Sequence, residues 1–111
     1  MRVPRVELLW WEGCPSHPEA LADLRAALGE LGLDAGAVDV REVQTGEQAA
    51  GEGFPGSPTI RVDGRDVQPP GEGEPGGLTC RVYRRRDGRV SPTPDPDDVR
   101  DALRAAMRAY G

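Results

Sequence analysis

The passage from a strand-like run to a cysteine-bearing turn constrains this chain's fold more than any other stretch. Residues 5–11 are apolar on both faces of an extended chain, a pattern typical of a central strand covered by helices. A Gly-Cys-Pro turn follows at residues 13–15, and residues 16–31 then repeat apolar side chains at three- and four-residue steps. The sequence therefore predicts a buried strand, a sharp turn and an amphipathic helix that ends near Gly32.

Cys14 is the residue of this turn with reactive chemistry. The first backbone N–H groups of a helix have no partner within the helix, and the macrodipole is positive at that end. Such surroundings favour thiolate and lower a cysteine pKa from about 8.5 to roughly 3.5–7.5. Cys14 is thus the candidate nucleophile. A capping box, with Ser16 as cap and Glu19 three residues later, is expected to begin the helix.

Length, composition and charge limit the classes of protein to which this chain can belong. At 111 residues and 37% hydrophobic content, the chain is expected to form one domain, 1–111. Its net charge of -5 argues against nucleic acid or an anionic membrane as a general partner. The N-terminal apolar run is too short for a signal peptide or a membrane span, so we expect a cytoplasmic location. No glycine-rich phosphate loop is present, and we expect no cofactor.

The cysteine count narrows the chemistry further. In a cytoplasmic chain, two cysteines are expected to be reduced, catalytic or metal-binding rather than a structural bridge. Two are also too few for a metal site of the four-cysteine type. The sequence does not define a substrate, a reductant or an oligomeric state.

The middle of the chain predicts a second strand and a hairpin. Residues 37–43 alternate at first and then lose the pattern, which suits an edge strand that runs parallel to the first strand. Residues 44–56 contain several glycines and predict a loop or one irregular helical turn. Asp63-Gly64 between β-forming residues predicts a hairpin with strands at 57–62 and 65–67.

The remaining residues predict a linker, a strand and a closing helix. Residues 69–77 are rich in proline and glycine, and residues 78–83 predict a short strand that contains Cys80. Asp95 followed by Pro96 predicts the start of the last helix. The apolar face of that helix consists of Val99, Ala102, Leu103, Ala106, Met107 and Tyr110.

A basic stretch in this acidic chain consists of Arg81, Arg84, Arg85, Arg86 and Arg89. One interpretation is that it attracts an anionic ligand or an acidic partner. The interpretation that we favour is that these charges protect an edge strand against aggregation.

The element order and two local motifs together resemble the thioredoxin-like superfamily. In that family the first strand ends in an aromatic residue and a Cys-Pro or Cys-Gly turn, which Trp10-Trp11-Glu12-Gly13-Cys14-Pro15 resembles. A cis proline precedes the family's third strand, which Gly56-Ser57-Pro58-Thr59-Ile60 resembles. The resemblance covers most of the chain. It implies an α/β, thioredoxin-like fold: a parallel β-α-β unit, then an antiparallel hairpin and a C-terminal helix.

The resemblance also implies roles for individual residues. It makes Cys14 the attacking cysteine and Pro58 a cis proline in the loop packed against it. The backbone beside Pro58, with Ser57 and Thr59, is then available to pair with a bound peptide or thiol substrate. Trp11 is a candidate wall of a substrate pocket, although the interpretation that we favour places it in the core or over the opposite face of the sheet.

The chain departs from the family's dithiol motif at His17. Where a dithiol member has its second cysteine, this chain reads Cys14-Pro15-Ser16-His17, so no local disulfide can form. His17 either assists the Cys14 thiol, by lowering its pKa when protonated or by accepting its proton, or is exposed and idle. An external thiol or Cys80 would then resolve the Cys14 adduct. The topology permits Cys80 to approach Cys14, and the alternative for Cys80 is a small buried hydrophobe.

Three functions follow from these residues. The first is a thiol-disulfide oxidoreductase, acting on a protein or low-molecular-weight disulfide or on a sulfenic acid. The second is a thiol protein that binds a soft metal ion such as mercury or copper(I), or a metalloid, through both cysteines and His17. The third is a non-catalytic module that binds a partner through the Pro58 loop.

Overall fold

The first strand forms the centre of a mixed sheet. In this computed structural model, which describes residues 3–70 and 76–109, β1 spans Val6–Trp10. β2, at Val38–Glu42, pairs with β1 in parallel, and β3, at Thr59–Val62, pairs with it on the other side in antiparallel orientation. β4, at Arg65–Asp66, extends the sheet, so the strand order is β2-β1-β3-β4. The predicted parallel pair, edge strand and hairpin are confirmed.

The hairpin between β3 and β4 turns at the predicted dipeptide. Asp63 has a φ of 52° and Gly64 a φ of 81°, the paired left-handed conformations that a two-residue hairpin turn requires. Asp63 also exchanges contacts with the N-terminal residues: its backbone N–H donates to the carbonyl of Arg5, and the Arg5 N–H donates to its carboxylate, both at 2.8 Å.

Three helices complete the described fold, α1 at His17–Glu30, α2 at Gly46–Glu52 and α3 at Pro96–Ala109. The loop or single turn expected around α2 is wrong. The side chain of Thr45 accepts the N–H of Gln48 while the Gln48 side chain accepts the N–H of Thr45. Gly53, in the left-handed conformation, ends the helix. These caps at both ends stabilise a helix that contains glycine within it.

The predicted capping box at α1 is also wrong. Ser16 occupies the cap position, but its backbone is already in the helical region, and its side chain accepts no hydrogen bond from the helix. Proline in the first turn removes one of the N–H groups that a cap would serve. At α3, in contrast, Asp95 accepts the N–H of Asp97 at 3.0 Å, as the sequence predicts.

The strand predicted over residues 78–83 is largely absent. Of these residues, β5 contains Tyr83, spans Tyr83–Arg84 and pairs with β6 at Val90–Ser91 in a hairpin. Cys80 makes a single parallel bridge, to Ser57. The predicted turn at residues 87–88 connects β5 to β6. Residues 71–75 of the predicted linker and Tyr110 lie outside the described residues.

The main core lies between the sheet and helices α1 and α3. Its fully buried side chains include Leu8 of β1, Leu24 of α1, Ile60 of β3 and Leu103 of α3. The predicted apolar face of α3 is confirmed at Val99 and Leu103, which are buried, and at two partly buried alanines that pack against the same core. Burial of this kind is the dominant favourable contribution to folding.

A second, smaller cluster consists of Leu9, Val43, Ala49 and Phe54, with Trp11 and Leu78 packed against it. Glu7, the one charged residue of β1, is only 4% exposed. Its carboxylate accepts a hydrogen bond from Arg41, which also binds Glu52 at 3.1 Å. A buried charge of this kind is tolerated because it is paired.

Candidate functional site

Cys14 and Cys80 form a disulfide bond, and their Cα atoms lie 5.4 Å apart. Cys14 belongs to the turn after β1, whereas Cys80 follows 66 residues later, shortly before β5. The sequence left open whether the two cysteines meet, and the structure joins them. Cys80 is therefore neither a buried hydrophobe nor a distant thiol.

The two cysteines differ in exposure to solvent. Cys14 is 3% exposed, whereas Cys80 belongs to the exposed residues. The Cys14 N–H donates to the Trp11 carbonyl at 3.1 Å and so closes the turn that contains Cys14. A reagent in solution therefore meets the Cys80 side of the disulfide first.

The turn places Ser16 beside the Cys14 sulfur. The Ser16 Oγ lies 3.5 Å from the Cys14 Sγ, within hydrogen-bond range for sulfur. The helix itself begins only at His17, so Cys14 precedes the first helical residue by two intervening positions. The hydroxyl of Ser16 is the polar side-chain group that contacts this sulfur among the described residues.

Ser57 and Pro58 form the loop that the disulfide contacts. The Ser57-Pro58 peptide bond is cis, which confirms that prediction. Ser57 is fully buried, its N–H donates to the carbonyl of Thr79 at 2.8 Å, and its carbonyl accepts the N–H of Arg81 at 2.8 Å. The expectation of a free backbone beside Pro58 is thus wrong for this disulfide-bonded state, because the chain's own residues around Cys80 occupy it.

We refer to residues 79–83 as the Cys80 segment, and a buried polar network fixes it to the hairpin of the sheet. Arg81, 8% exposed, places Nη1 at 2.6 Å from the Asp66 carboxylate and at 3.2 Å from the Thr59 hydroxyl. Its Nη2 donates to the Gln68 carbonyl at 2.5 Å. The guanidinium carbon also lies 4.4 Å from the centroid of the Tyr83 ring. Arg81 is therefore not a charge that protects an edge strand.

The ionisable groups of this network are shifted by burial. Burial raises the pKa of Asp66 above its usual value, and the charge of Arg81 opposes that rise. Burial likewise raises the pKa of Tyr83, whose hydroxyl donates to the carbonyl of Pro58. The Cys80 segment is therefore bonded to both residues of the cis peptide, to Ser57 by backbone and to Pro58 by the tyrosine.

Gly56 lets the Cys80 segment approach the loop this closely. A Cβ at position 56 would lie 2.9 Å from the Arg81 Cγ and 3.2 Å from the Thr79 carbonyl oxygen. Its φ of 133° is also one that other residues rarely adopt. The Thr59 hydroxyl donates to the Gly56 carbonyl at 2.7 Å and so fixes the same turn.

Two of the other four arginines of the basic stretch, Arg86 and Arg89, are paired with neighbouring acids. Arg86 contacts Asp98 at 2.8 Å and Asp101 at 2.6 Å, and Arg89 contacts Asp87 at 2.8 Å. The Arg86 pairs attach the β5–β6 hairpin to α3, whereas the Arg89 pair lies within the hairpin. They give no support to the interpretation that it attracts an anionic ligand.

Trp11 contributes to the site through its backbone. Its N–H donates to the Ser57 Oγ at 3.0 Å, which connects the end of β1 to the cis-proline loop. Its ring packs against the smaller core cluster and over Gly13, where an added Cβ would lie 2.3 Å from a ring carbon. Trp11 does not line the hollow at the disulfide, so its predicted role as a pocket wall has no support here.

The ring of His17 contacts Trp10 rather than the disulfide. Its ring stacks on that of Trp10, with centroids 4.0 Å apart and an angle of 15° between planes. The His17 Nδ1 is buried and has no hydrogen-bond partner within the described residues. No contact among those residues joins the ring to either sulfur.

A shallow, mainly apolar hollow of about 520 Å³ lies over the disulfide. Its lining consists of Cys14, Pro15, Ser16, Cys80, Arg81, Val82, Val90, Ser91 and Pro92. Val82 and Val90 are 72% and 65% exposed, respectively. A larger hollow of about 640 Å³ between β2 and α2 contains no thiol and is lined by the mutually bonded Arg41 and Glu52. The chemistry therefore centres on the smaller hollow.

Within the described residues, no group of three or more His, Cys, Asp or Glu side chains could hold a metal ion. None of the helices in that part of the chain is long and apolar enough to cross a membrane. Comparisons with protein-family models, with curated proteins and with solved structures gave no match. The molecule is established as a mixed α/β protein with a disulfide beside a cis-proline loop.

Proposed function

We propose that this protein is a thiol-disulfide oxidoreductase of the thioredoxin-like class, with Cys14 as nucleophile and Cys80 as the resolving cysteine. The observation that carries the proposal is the Cys14–Cys80 disulfide beside the cis Ser57-Pro58 bond. The parallel β1–β2 pair, the antiparallel β3–β4 hairpin and the closing helix support the thioredoxin-like fold.

The forward reaction consists of two thiol-disulfide exchanges. The Cys14 thiolate attacks one sulfur of a substrate disulfide, forms a mixed disulfide and expels the other substrate sulfur as thiolate. With a sulfenic acid, the same attack gives the same mixed disulfide and expels hydroxide. The Cys80 thiolate then attacks the Cys14 sulfur, the mixed disulfide breaks, and the second substrate thiolate leaves. The product is the disulfide of this structure.

The position of the Cys80 segment supports the resolving step. A Cα separation of 5.4 Å needs no rearrangement of the fold to bring the Cys80 sulfur onto a Cys14 adduct. The substrate is a protein or a low-molecular-weight disulfide. To pair with the Ser57 backbone, an extended substrate would have to displace Thr79 and Arg81 from it.

The deciding measurement is the rate of Cys14 alkylation against pH in the reduced wild type and in Cys80→Ser. We expect a midpoint well below about 8.5, the ordinary value for a cysteine. With a disulfide-containing unfolded protein as substrate, Cys80→Ser should accumulate a stable mixed disulfide on Cys14. The reduced wild type should instead pass to the internal disulfide, two hydrogens lighter by intact mass.

The matched control is Cys14→Ser, which retains Cys80 and should form neither product at a comparable rate. Ordinary Cys14 reactivity in Cys80→Ser, with no mixed disulfide, would contradict the oxidoreductase. That result would favour a non-catalytic binding module, and Cys14→Ser would then retain partner binding.

The soft-metal protein is the second candidate, because reduction leaves two thiols on Cα atoms 5.4 Å apart. Two thiolates at such a distance suit a two-coordinate soft ion. Because the His17 ring stacks on Trp10, the metal ligands would be the two sulfurs, without the third ligand that the sequence suggested. Titration of the reduced protein with mercury(II) distinguishes this candidate, since Cys80→Ser must then lose most of the affinity.

A further inference from the structure

The two sulfurs of the disulfide are not equivalent targets for an incoming thiolate. Attack takes place along the S–S axis, from the side opposite the sulfur that leaves, so the attacked sulfur must be open to solvent on that side. Both cysteines line the hollow, but Cys14 is only 3% exposed, whereas Cys80 belongs to the exposed residues. Access therefore favours attack at Cys80.

The two sulfurs also differ as leaving groups. A sulfur that leaves as thiolate does so faster when its negative charge is stabilised. The Cys14 sulfur has the Ser16 hydroxyl at 3.5 Å. The hydrogen bonds of the Cys80 segment are made by backbone groups and by Thr79, Arg81 and Tyr83, and none of those described reaches the Cys80 sulfur.

A hydrogen bond to the Cys14 sulfur accounts for the position of the Ser16 side chain, which helix capping does not explain. The sequence places this serine where a cap is expected, yet its side chain accepts no hydrogen bond from α1. Its hydroxyl is therefore free to donate to sulfur. Since the same residue's carbonyl accepts the N–H of Ala20 at 3.2 Å, the backbone holds the hydroxyl in place beside Cys14.

We propose that an external thiolate attacks the Cys80 sulfur and that Cys14 leaves as a thiolate hydrogen-bonded by Ser16. The bond formed joins the attacking sulfur to Cys80, and the Cys14–Cys80 bond breaks with its electron pair on Cys14. A second thiolate of the reductant then attacks the reductant's own sulfur in the mixed disulfide and releases Cys80. The reductant ends as a disulfide, and the protein ends as a dithiol.

This inference deepens the proposed function, because it describes the return half of that cycle and leaves Cys14 as the thiolate for the next turnover. Its chemistry is nevertheless measurable on the oxidised protein without a substrate. Failure here would therefore leave the Cys14 alkylation test untouched, and the two proposals can fail separately.

The first test locates the mixed disulfide. Oxidised wild type is treated with reduced glutathione, quenched with acid at early times, and alkylated, and the peptides are mapped by mass spectrometry. We expect glutathione on Cys80 and the alkyl group on Cys14 in large excess over the reverse. The reverse pattern, or an equal mixture, would overturn the proposal.

The second test isolates the hydroxyl of residue 16. Ser16→Ala should slow reduction by glutathione about threefold and raise the pH midpoint of Cys14 alkylation, measured in the Cys80→Ser background. Ser16→Thr retains a hydroxyl and should restore both values towards wild type. An unchanged midpoint in Ser16→Ala, or no rescue by threonine, would show that Ser16 does not stabilise the leaving thiolate.

Discussion

The main core and the Cys80 segment are held in place by different kinds of contact. The core between the sheet, α1 and α3 consists of interlocked aliphatic side chains such as Leu8, Leu24 and Leu103, all fully buried. The Cys80 segment is held by hydrogen bonds from Arg81 and Tyr83 and by the disulfide. Apolar burial acts through area, whereas hydrogen bonds act at single atoms.

Because of this difference, substitutions in the core and in the polar network should affect different properties of the molecule. A change in the core is expected to destabilise the whole chain, because its buried side chains come from β1, β3, α1 and α3. A change in the polar network is expected to loosen the Cys80 segment first, since its contacts end on the loop and the hairpin. Stability is not uniform across a protein, and segments with local contacts open separately from the core.

The largest effect should come from the core. Leu24→Ala removes a fully buried side chain and should lower the free energy of unfolding by about 4 kcal/mol, measured by urea denaturation of the oxidised protein. The rate of disulfide reduction by glutathione under native conditions should stay near wild type. Arg25→Ala, on the exposed side of the same helix, should change stability by less than about 0.5 kcal/mol. A large acceleration of reduction in Leu24→Ala would show that the core also holds the Cys80 segment in place.

The next effect should come from the polar network. Arg81→Met leaves the buried Asp66 carboxylate without its partner and should cost about 3 kcal/mol at neutral pH. Reduction by glutathione should become faster than in wild type, because the Cys80 segment is released from the hairpin. The control is Arg84→Met, since the exposed Arg84 side chain donates to the Gly88 carbonyl at 3.4 Å and to nothing buried.

The same variant should show a characteristic pH dependence. Burial raises the pKa of Asp66 in the folded state. The free energy of unfolding therefore falls as pH rises from about 3.8 through the folded pKa, because Asp66 then ionises in a buried place. Without Arg81, the pKa of Asp66 in the folded state rises further. The deficit of Arg81→Met relative to wild type should therefore be smallest in acid and grow towards neutral pH. A deficit independent of pH would show that Asp66 is not the group left unpaired.

The smallest effect should come from Asp95, which joins the β5–β6 hairpin to α3. Its carboxylate accepts the N–H groups of Arg86, from the β5–β6 hairpin, and of Asp97, from α3, both at 3.0 Å. Asp95→Ala should cost about 1 kcal/mol by urea denaturation, and Asp95→Asn, which retains an acceptor, should cost less. Equal losses in both variants would contradict a role as hydrogen-bond acceptor.

The pH dependence at Asp95 has the opposite sign to that at Asp66. The hydrogen bond from the Arg86 N–H, and then that from Asp97, hold the pKa of Asp95 below its usual value of 3.8. The stabilisation is therefore present above that value and lost as pH falls through the folded pKa. Wild type and Asp95→Ala should converge in stability in acid.

The sequence predicted the parts of the fold that depend on local patterns. The buried β1, the Asp63-Gly64 turn and the cap at Asp95 follow from periodicity and turn chemistry, and each is confirmed. The cis Pro58, which the resemblance implied, is confirmed as well. At α2, in contrast, the glycines favour a loop, whereas the Thr45–Gln48 capping pair in the same stretch favours the helix that forms.

The remainder of the site depends on contacts between distant residues. Nothing local distinguishes Arg81, which meets Asp66, from the arginines that follow it in the basic stretch. The alternating pattern of residues 78–83 resembles a strand, yet its backbone bonds to the loop at Ser57 instead of a sheet. Ser16 satisfied a capping rule in the sequence, but the turn that buries Cys14 directs its hydroxyl to sulfur.

The disulfide also has a mechanical consequence for the chain. It closes a covalent ring between positions 66 residues apart, and that ring contains α1, β2, α2, β3 and β4. Tension applied to the two termini passes through the S–S bond and cannot stretch anything inside the ring. Cleavage of that bond would release about 220 Å of contour length, at roughly 3.3–3.6 Å per residue. The redox state of one bond thus determines how far this protein extends under load.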